Sequence, residues 1–181
     1  MKVFISFLRG INVSGHKIIK MEALRKSYEK LGFTHVKSYI QSGNVVFCSE
    51  KYSGNKLEKC IQNQILHEFG FDVKVKVITV EELELVIKNN SFLKDNLLET
   101  KQHYFAFLSE NPTNENWEVL KNWELSGELM NLGDKVLYLY YPNGAGKSKL
   151  TTNLIESKLK VSATTRNLNT SQKMLALGKE I

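Results

Sequence analysis

The chain has 181 residues, 42% of them hydrophobic and 10% aromatic, which is enough apolar surface for one large core or two small ones and excludes a disordered polymer. Lysine and arginine outnumber aspartate and glutamate for a net charge of +6; the excess favours an anionic partner, although most lysines fall on amphipathic stretches where a solvated face accounts for them. The longest apolar runs, residues 3–8 and 136–141, are far shorter than the roughly 20 residues of a membrane helix, and Arg9 follows the first without a small-residue cleavage site, so a cytoplasmic protein without membrane contact is expected.

Residues 3–8 form a short run with β-branched and aromatic members that breaks at Arg9-Gly10, as a strand does. Met21, Leu24, Tyr28 and Leu31 recur at spacings of three and four, which predicts a helix stopped by Gly32. Residues 36–41 and 45–48 read as a hairpin around Ser42-Gly43-Asn44, since Gly and Asn tolerate left-handed turn geometry. Leu57, Ile61, Ile65 and Phe69 mark a second helix ending at Gly70. Residues 73–80 are a fourth strand, and Thr79 with Glu82 makes a capping box for a short helix through Leu83, Val86 and Ile87.

The same order recurs in the second half. Residues 103–108 are a strand, and Trp117, Leu120 and Trp123 lie on a helix. Residues 128–132 and 135–141 make a hairpin around Gly133-Asp134. A helix over 148–159 carries Leu150 and Leu154, residues 161–165 are a strand, and Met174, Leu175 and Leu177 mark a last helix ending at Gly178. The expected fold is α+β, with two ferredoxin-like βαββαβ units related by duplication, each an antiparallel sheet with helices on one face. The domains are expected at 1–90 and 101–181, joined by a linker over 91–100.

Two loops carry the chemistry that the sequence suggests. Arg9 to Lys17 places two glycines and two cations between a strand and a helix, a composition that can aim backbone N–H groups at a phosphate or carboxylate; a crossover that needs glycine for its turns has the same composition. Asn143-Gly144-Ala145-Gly146-Lys147-Ser148 follows a strand and opens the helix expected at Ser148, which is the context of a phosphate-binding loop. It is not a Walker A motif: the glycine required five residues before Gly146 is Tyr141, and no apolar strand ending in Asp offers a magnesium partner. A generic anion site on Gly146, Lys147 and Ser148 needs only free N–H groups and a helix dipole. The RNA-recognition mode is excluded, because Ser42-Gly43-Asn44-Val45-Val46 stands where base-stacking aromatics are required. Cys48 and Cys60 belong to no CxxC or Cys/His cluster, and the four histidines are scattered, so no metal and no cofactor are expected.

Leu8-Arg9-Gly10-Ile11-Asn12-Val13, Tyr39-Ile40-Gln41-Ser42-Gly43-Asn44-Val45-Val46-Phe47, Tyr141-Pro142-Asn143-Gly144 with Ser148-Lys149-Leu150, and Thr165-Arg166-Asn167 with Asn169-Thr170 together resemble the bacterial family catalogued as domain of unknown function 1697. Two departures stand out: Ser14 replaces a second glycine and Leu168 a tryptophan. The resemblance implies no reaction, but it singles out polar turns, and loop residues specified that closely are more often functional than core residues are. It makes Arg9, Asn12, Ser42, Asn44, Lys147 and Arg166 site candidates beside Gly146 and Ser148, with the cations neutralising an anion and the amides hydrogen-bonding it; the competing role of Asn12, Asn44 and Asn169 is to satisfy turn backbones. The expected function is a non-catalytic or weakly catalytic binding protein for a phosphate-bearing ligand or a nucleic-acid backbone. The alternative is an enzyme acting on a small anionic metabolite in a cleft between the halves, for which no nucleophile or base is identified, and a P-loop-type nucleotide hydrolase comes last.

Overall fold

Apolar side chains fill both sides of the run 3–8 except at Ser6, and this run becomes β1 (Lys2–Leu8), a central strand of the first of two sheets. The computed structural model describes residues 1–50, 54–95 and 98–181; residues 96–97 of the expected linker lie outside them. Internal contacts divide the chain into Met1–Leu85 with Gln172–Ile181, and Val86–Ser171. The last ten residues therefore group with the first unit, where the sequence reading runs a second domain through to residue 181.

In the first unit β1, β2 (Thr34–Tyr39), β3 (Asn44–Ser49) and β4 (Val75–Thr79) lie in the order β2-β3-β1-β4, with every pair of neighbours antiparallel. Helices α1 (Met21–Lys30) and α2 (Asn55–Phe69) carry Leu24, Tyr28, Leu57, Ile61 and Ile65 into a core with Phe4, Leu8, Val45 and Phe47. Ser6 shares this face, and its hydroxyl meets that of the wholly buried Tyr28 at 2.8 Å, so each satisfies the other away from water. Helix α3 (Val80–Lys88) begins at the predicted capping box. Thr79 N–H donates to Glu82 Oε2 at 2.7 Å, and Glu82 N–H donates to Thr79 Oγ1 at 3.1 Å.

The second unit holds β5 (His103–Leu108), α4 (Asn114–Lys121), β6 (Leu129–Gly133), β7 (Val136–Tyr140), α5 (Thr152–Leu159) and β8 (Ala163–Asn167). Its sheet order is β6-β7-β5-β8, again all antiparallel. The final helix is α6 (Leu168–Lys179). The two halves are similar down to their registers: Phe4 pairs with Phe47 and Thr79, and Tyr104 pairs with Leu139 and Asn167. Leu8 N–H donates to Gly43 O at 2.8 Å and Leu108 N–H to Lys135 O at 2.9 Å, while Arg9 N–H reaches Lys74 O and Ser109 N–H reaches Ser162 O, both at 2.9 Å.

Three local expectations are corrected. Helices do not keep to one face in the first unit, because a Cβ added at Gly178 of α6 would lie 2.6 Å from Val80 and 3.7 Å from Ile5, on the side of β1 away from Phe4 and Leu8. The cause is legible in β1, whose Ile5 and Phe7 are as apolar as its Phe4 and Leu8 and are equally buried. The second strand ends at Tyr39 instead of Gln41, since Ile40 takes a left-handed φ of 47°. Helix α5 starts at Thr152, not Ser148, because the Thr151 hydroxyl caps it by accepting from Leu154 N–H at 3.2 Å.

His103 opens β5 fully buried, edge-on to Tyr140 with ring centroids 5.2 Å apart, and among the described residues neither ring nitrogen has a hydrogen-bond partner. Burial lowers its pKa, against a smaller opposing effect of the Leu98 backbone. The folded state therefore favours neutral His103, while the unfolded chain protonates it near 6.5. Stability is complete above that value and falls as pH drops through it, by at most about 1.4 kcal/mol per pH unit. Urea unfolding at neutral and mildly acidic pH should show this slope in the wild type and a shallower one in His103→Phe, which fills the site without a titrating nitrogen.

Candidate functional site

The first unit collects its site candidates beyond the end of β1. From Arg9 to Lys17 the chain is left-handed at Gly10, Asn12, Ser14, Gly15 and Lys17, with φ between 48° and 79°. Ser14 takes a φ of 49° that L side chains disfavour. Asn12 holds the loop together. Its Nδ2 donates to Ile19 O at 2.9 Å and to Gln41 O at 2.8 Å, and its Oδ1 accepts from Ile19 N–H at 2.8 Å. The Lys17 ammonium donates to Asp72 O. Asn44, completely buried, donates to Tyr39 O at 3.1 Å and to Ser42 Oγ at 2.9 Å. Asn12, Ser42 and Asn44 thus have side-chain groups engaged in holding turns, whereas Arg9 and Lys17 supply charge to the loop.

In the second unit the loop after β7 closes an open cleft of about 100 Å³ whose lining includes Glu128, Asn143, Gly144, Lys147, Ser148 and Lys149. A 3₁₀ turn, Ala145–Lys147, runs through it. Lys147 N–H donates to Gly144 O at 3.1 Å and Ser148 N–H to Ala145 O at 3.3 Å. These donors are spent inside the loop and α5 begins four residues after Ser148, so the backbone does not form the helix-start cradle that Gly146, Lys147 and Ser148 suggest. Instead Glu128 organises the cleft. Its carboxylate accepts from Ser126 N–H at 2.6 Å and from the Ser148 hydroxyl at 2.5 Å, and Ser148 Oγ accepts from Leu150 N–H at 2.9 Å. The Ser148 hydrogen bond holds the Glu128 carboxyl below the usual range, against the opposing effect of burial.

Arg166 lies on β8 opposite Phe105, outside the cleft lining, and donates to Thr165 O at 2.8 Å. Burial lowers its guanidinium to about 10, which leaves it charged at neutral pH. Within the second unit the structure therefore brings Lys147 and Ser148 together and leaves Arg166 apart. Sequence reasoning missed Glu128 and Lys149. Lys149 sits in the Ser148-Lys149-Leu150 stretch and was available as a second cation, but Glu128 is 20 residues from Ser148 and no local pattern ties them. Among the described residues no group of three His, Cys, Asp or Glu side chains is placed to hold a metal ion, and no helix is long and apolar enough to cross a membrane.

A family model described as protein of unknown function (DUF1697) matches residues 1–138, which include the Arg9–Lys17 and Ser42–Asn44 loops and Glu128 but stop before Lys147. The fold is similar to that of a conserved bacterial protein from Streptococcus pneumoniae, with a TM-score of 0.75, 22% identity and 98% of each chain covered. No protein of curated function matches the sequence.

Proposed function

Because the chain belongs to the DUF1697 family of proteins of unknown function, its own geometry must carry the reading, and we propose that it is a non-catalytic binding protein for ligands bearing a phosphate or carboxylate group. The observation behind this is the cleft at Lys147 and Lys149, where the one carboxylate in the lining, Glu128, already has Ser126 N–H and the Ser148 hydroxyl as donors. Two ammonium groups against one hydrogen-bonded carboxylate leave the cleft net positive. Its volume of about 100 Å³ is well below the roughly 300 Å³ at which pockets begin to enclose a whole small molecule. The fit is to an anionic head group, with the remainder of the ligand in solvent.

Binding is favoured over catalysis because the group nearest to a general base, Glu128, has a lowered pKa and donors already in place, so it takes the Ser148 proton poorly. The strand orders β2-β3-β1-β4 and β6-β7-β5-β8 support reading each half as a ferredoxin-like unit produced by duplication. The free cysteines Cys48 and Cys60 support a reducing, cytoplasmic setting.

Calorimetric titration with inorganic phosphate, a mononucleotide and a short RNA, each at low and high salt, tests the reading. Lys147→Ala should weaken phosphate by about tenfold to a hundredfold, the loss of one charge-assisted bond of roughly 1.5–3 kcal/mol. Magnesium should make little difference. Affinity that is unchanged by the substitution contradicts the assignment, and magnesium-dependent ATP hydrolysis abolished by it would restore a nucleotide enzyme.

A further inference from the structure

Asn12 draws together three places where an aliphatic side chain stands in water. Val13 follows it in sequence, Ile18 precedes Ile19, whose backbone Asn12 both donates to and accepts from, and Ile40 precedes Gln41, whose carbonyl Asn12 also holds. One residue of chain spans about 3.8 Å, so the three belong to one loop cluster. They are 55%, 59% and 51% exposed respectively. Single exposed aliphatics are ordinary, but three gathered at one loop cluster are the mark of a contact surface.

Ile40 adds a second, independent observation. It is β-branched, yet its φ is 47°, a conformation such residues rarely take and that is retained mainly where function requires it. The fold therefore accepts a backbone cost at Ile40 and a solvation cost for its side chain at the same position.

The charge around the cluster selects the partner. Residues 9–20 carry Arg9, Lys17 and Lys20 with no aspartate or glutamate, and residues 38–45 carry no acid either; Glu22, near Lys20, is paired with Lys26. Asp72 touches the cluster, but through its backbone carbonyl. We propose that this end of the first unit is a docking surface for an acidic peptide segment of a partner protein, anchored by aliphatic side chains against Val13, Ile18 and Ile40. A nucleic-acid backbone has no use for exposed aliphatics and is read with aromatics when bases are bound. A lipid interface favours tryptophan and tyrosine and does not need a rigid, strained presentation. A protein partner gains from that rigidity, because the loop is already ordered before it binds.

The test is selection of random peptides on phage against the full-length protein, followed by affinity measurement on the selected peptides as synthetic probes. Selected peptides should combine Asp or Glu with Leu, Ile or Val, and should bind more weakly as salt is raised. Val13→Ser, Ile18→Ser and Ile40→Ser should each lower affinity at least tenfold, whereas Leu66→Ser, at an equally exposed aliphatic on α2, should leave it unchanged. Ile40→Gly relaxes the strained position; it should bind at least tenfold more weakly with no fall in melting temperature, which separates lost contact from lost folding. Failure to enrich any peptide, enrichment of neutral or basic peptides, or affinity indifferent to the three substitutions overturns the proposal. So does binding to phosphatidylserine-containing vesicles that the same three substitutions abolish. Lys147→Ala should change none of these affinities, so the surface and the anion cleft stand or fall separately.

Discussion

Gly43→Ala should lower the stability of the protein by about 3 kcal/mol, the largest single effect expected from adding one methyl group. Two costs combine. Gly43 has φ +72°, and a Cβ there would lie 2.7 Å from Leu8 Cβ and 2.8 Å from Ile11 Cδ1. The isoleucine tip can swing aside, but Leu8 Cβ is fixed to a central strand whose N–H donates to Gly43 O, so backbone must move. Left-handed strain costs about 1–2 kcal/mol and overpacking of this kind about 1–3 kcal/mol. Two controls separate the contributions. Gly15→Ala has a similar φ of +79° but open space around the new Cβ, and should cost only about 1 kcal/mol. Gly43→Asn tolerates the left-handed backbone yet keeps the clash, and should remain strongly destabilising. Urea unfolding of the three variants, compared at constant slope against denaturant, reads all of this directly.

Asn12→Ala should cost about 2–3 kcal/mol. The side chain makes three hydrogen bonds, to Ile19 O, Gln41 O and Ile19 N–H, each worth about 1 kcal/mol net, and alanine also tolerates a φ of 55° less well than asparagine does. Asn12→Asp is the sharper probe. It keeps the acceptor for Ile19 N–H but sets a carboxylate oxygen against two carbonyls, so the folded state favours the protonated acid, which can donate to one of them. A group with a raised folded pKa contributes most below its unfolded pKa and loses that contribution as pH rises through the folded value. The gap between Asn12→Asp and wild type should therefore narrow as pH falls; a gap independent of pH would mean that Asn12 does not donate as described.

How far the sequence discloses this structure differs between strands, caps and site. The β1 run and the amphipathic spacing of Leu57, Ile61 and Ile65 are local signals, and their elements form where those signals lie. That β1 is covered on both faces was also written locally, in the apolarity of Ile5 and Phe7, but an element order that suggests a one-sided sheet hid it. The start of α5 could not be decided locally, because Ser148 and Thr151 are both good N-cap residues. The choice is made by Glu128, which takes the Ser148 hydroxyl from a different part of the chain. The same long-range bond explains why the cleft was only half visible: Lys147 and Ser148 belong to a recognisable loop, whereas Glu128 sits at the head of a hairpin and has no local reason to meet them. Asn12 and Asn44 were noticed as polar turn residues, and their bonds to Ile19, Gln41 and Tyr39 show that a well-specified polar loop can be shaped by its own backbone needs.

Backbone amide chemical shifts, recorded while inorganic phosphate is added to the isotopically labelled protein, test the anion cleft most directly. The account predicts saturable shifts centred on residues 143–149 whose midpoint moves to about tenfold to a hundredfold higher phosphate in Lys147→Ala. Shifts confined to residues 9–17, or no saturable shift anywhere, would contradict it.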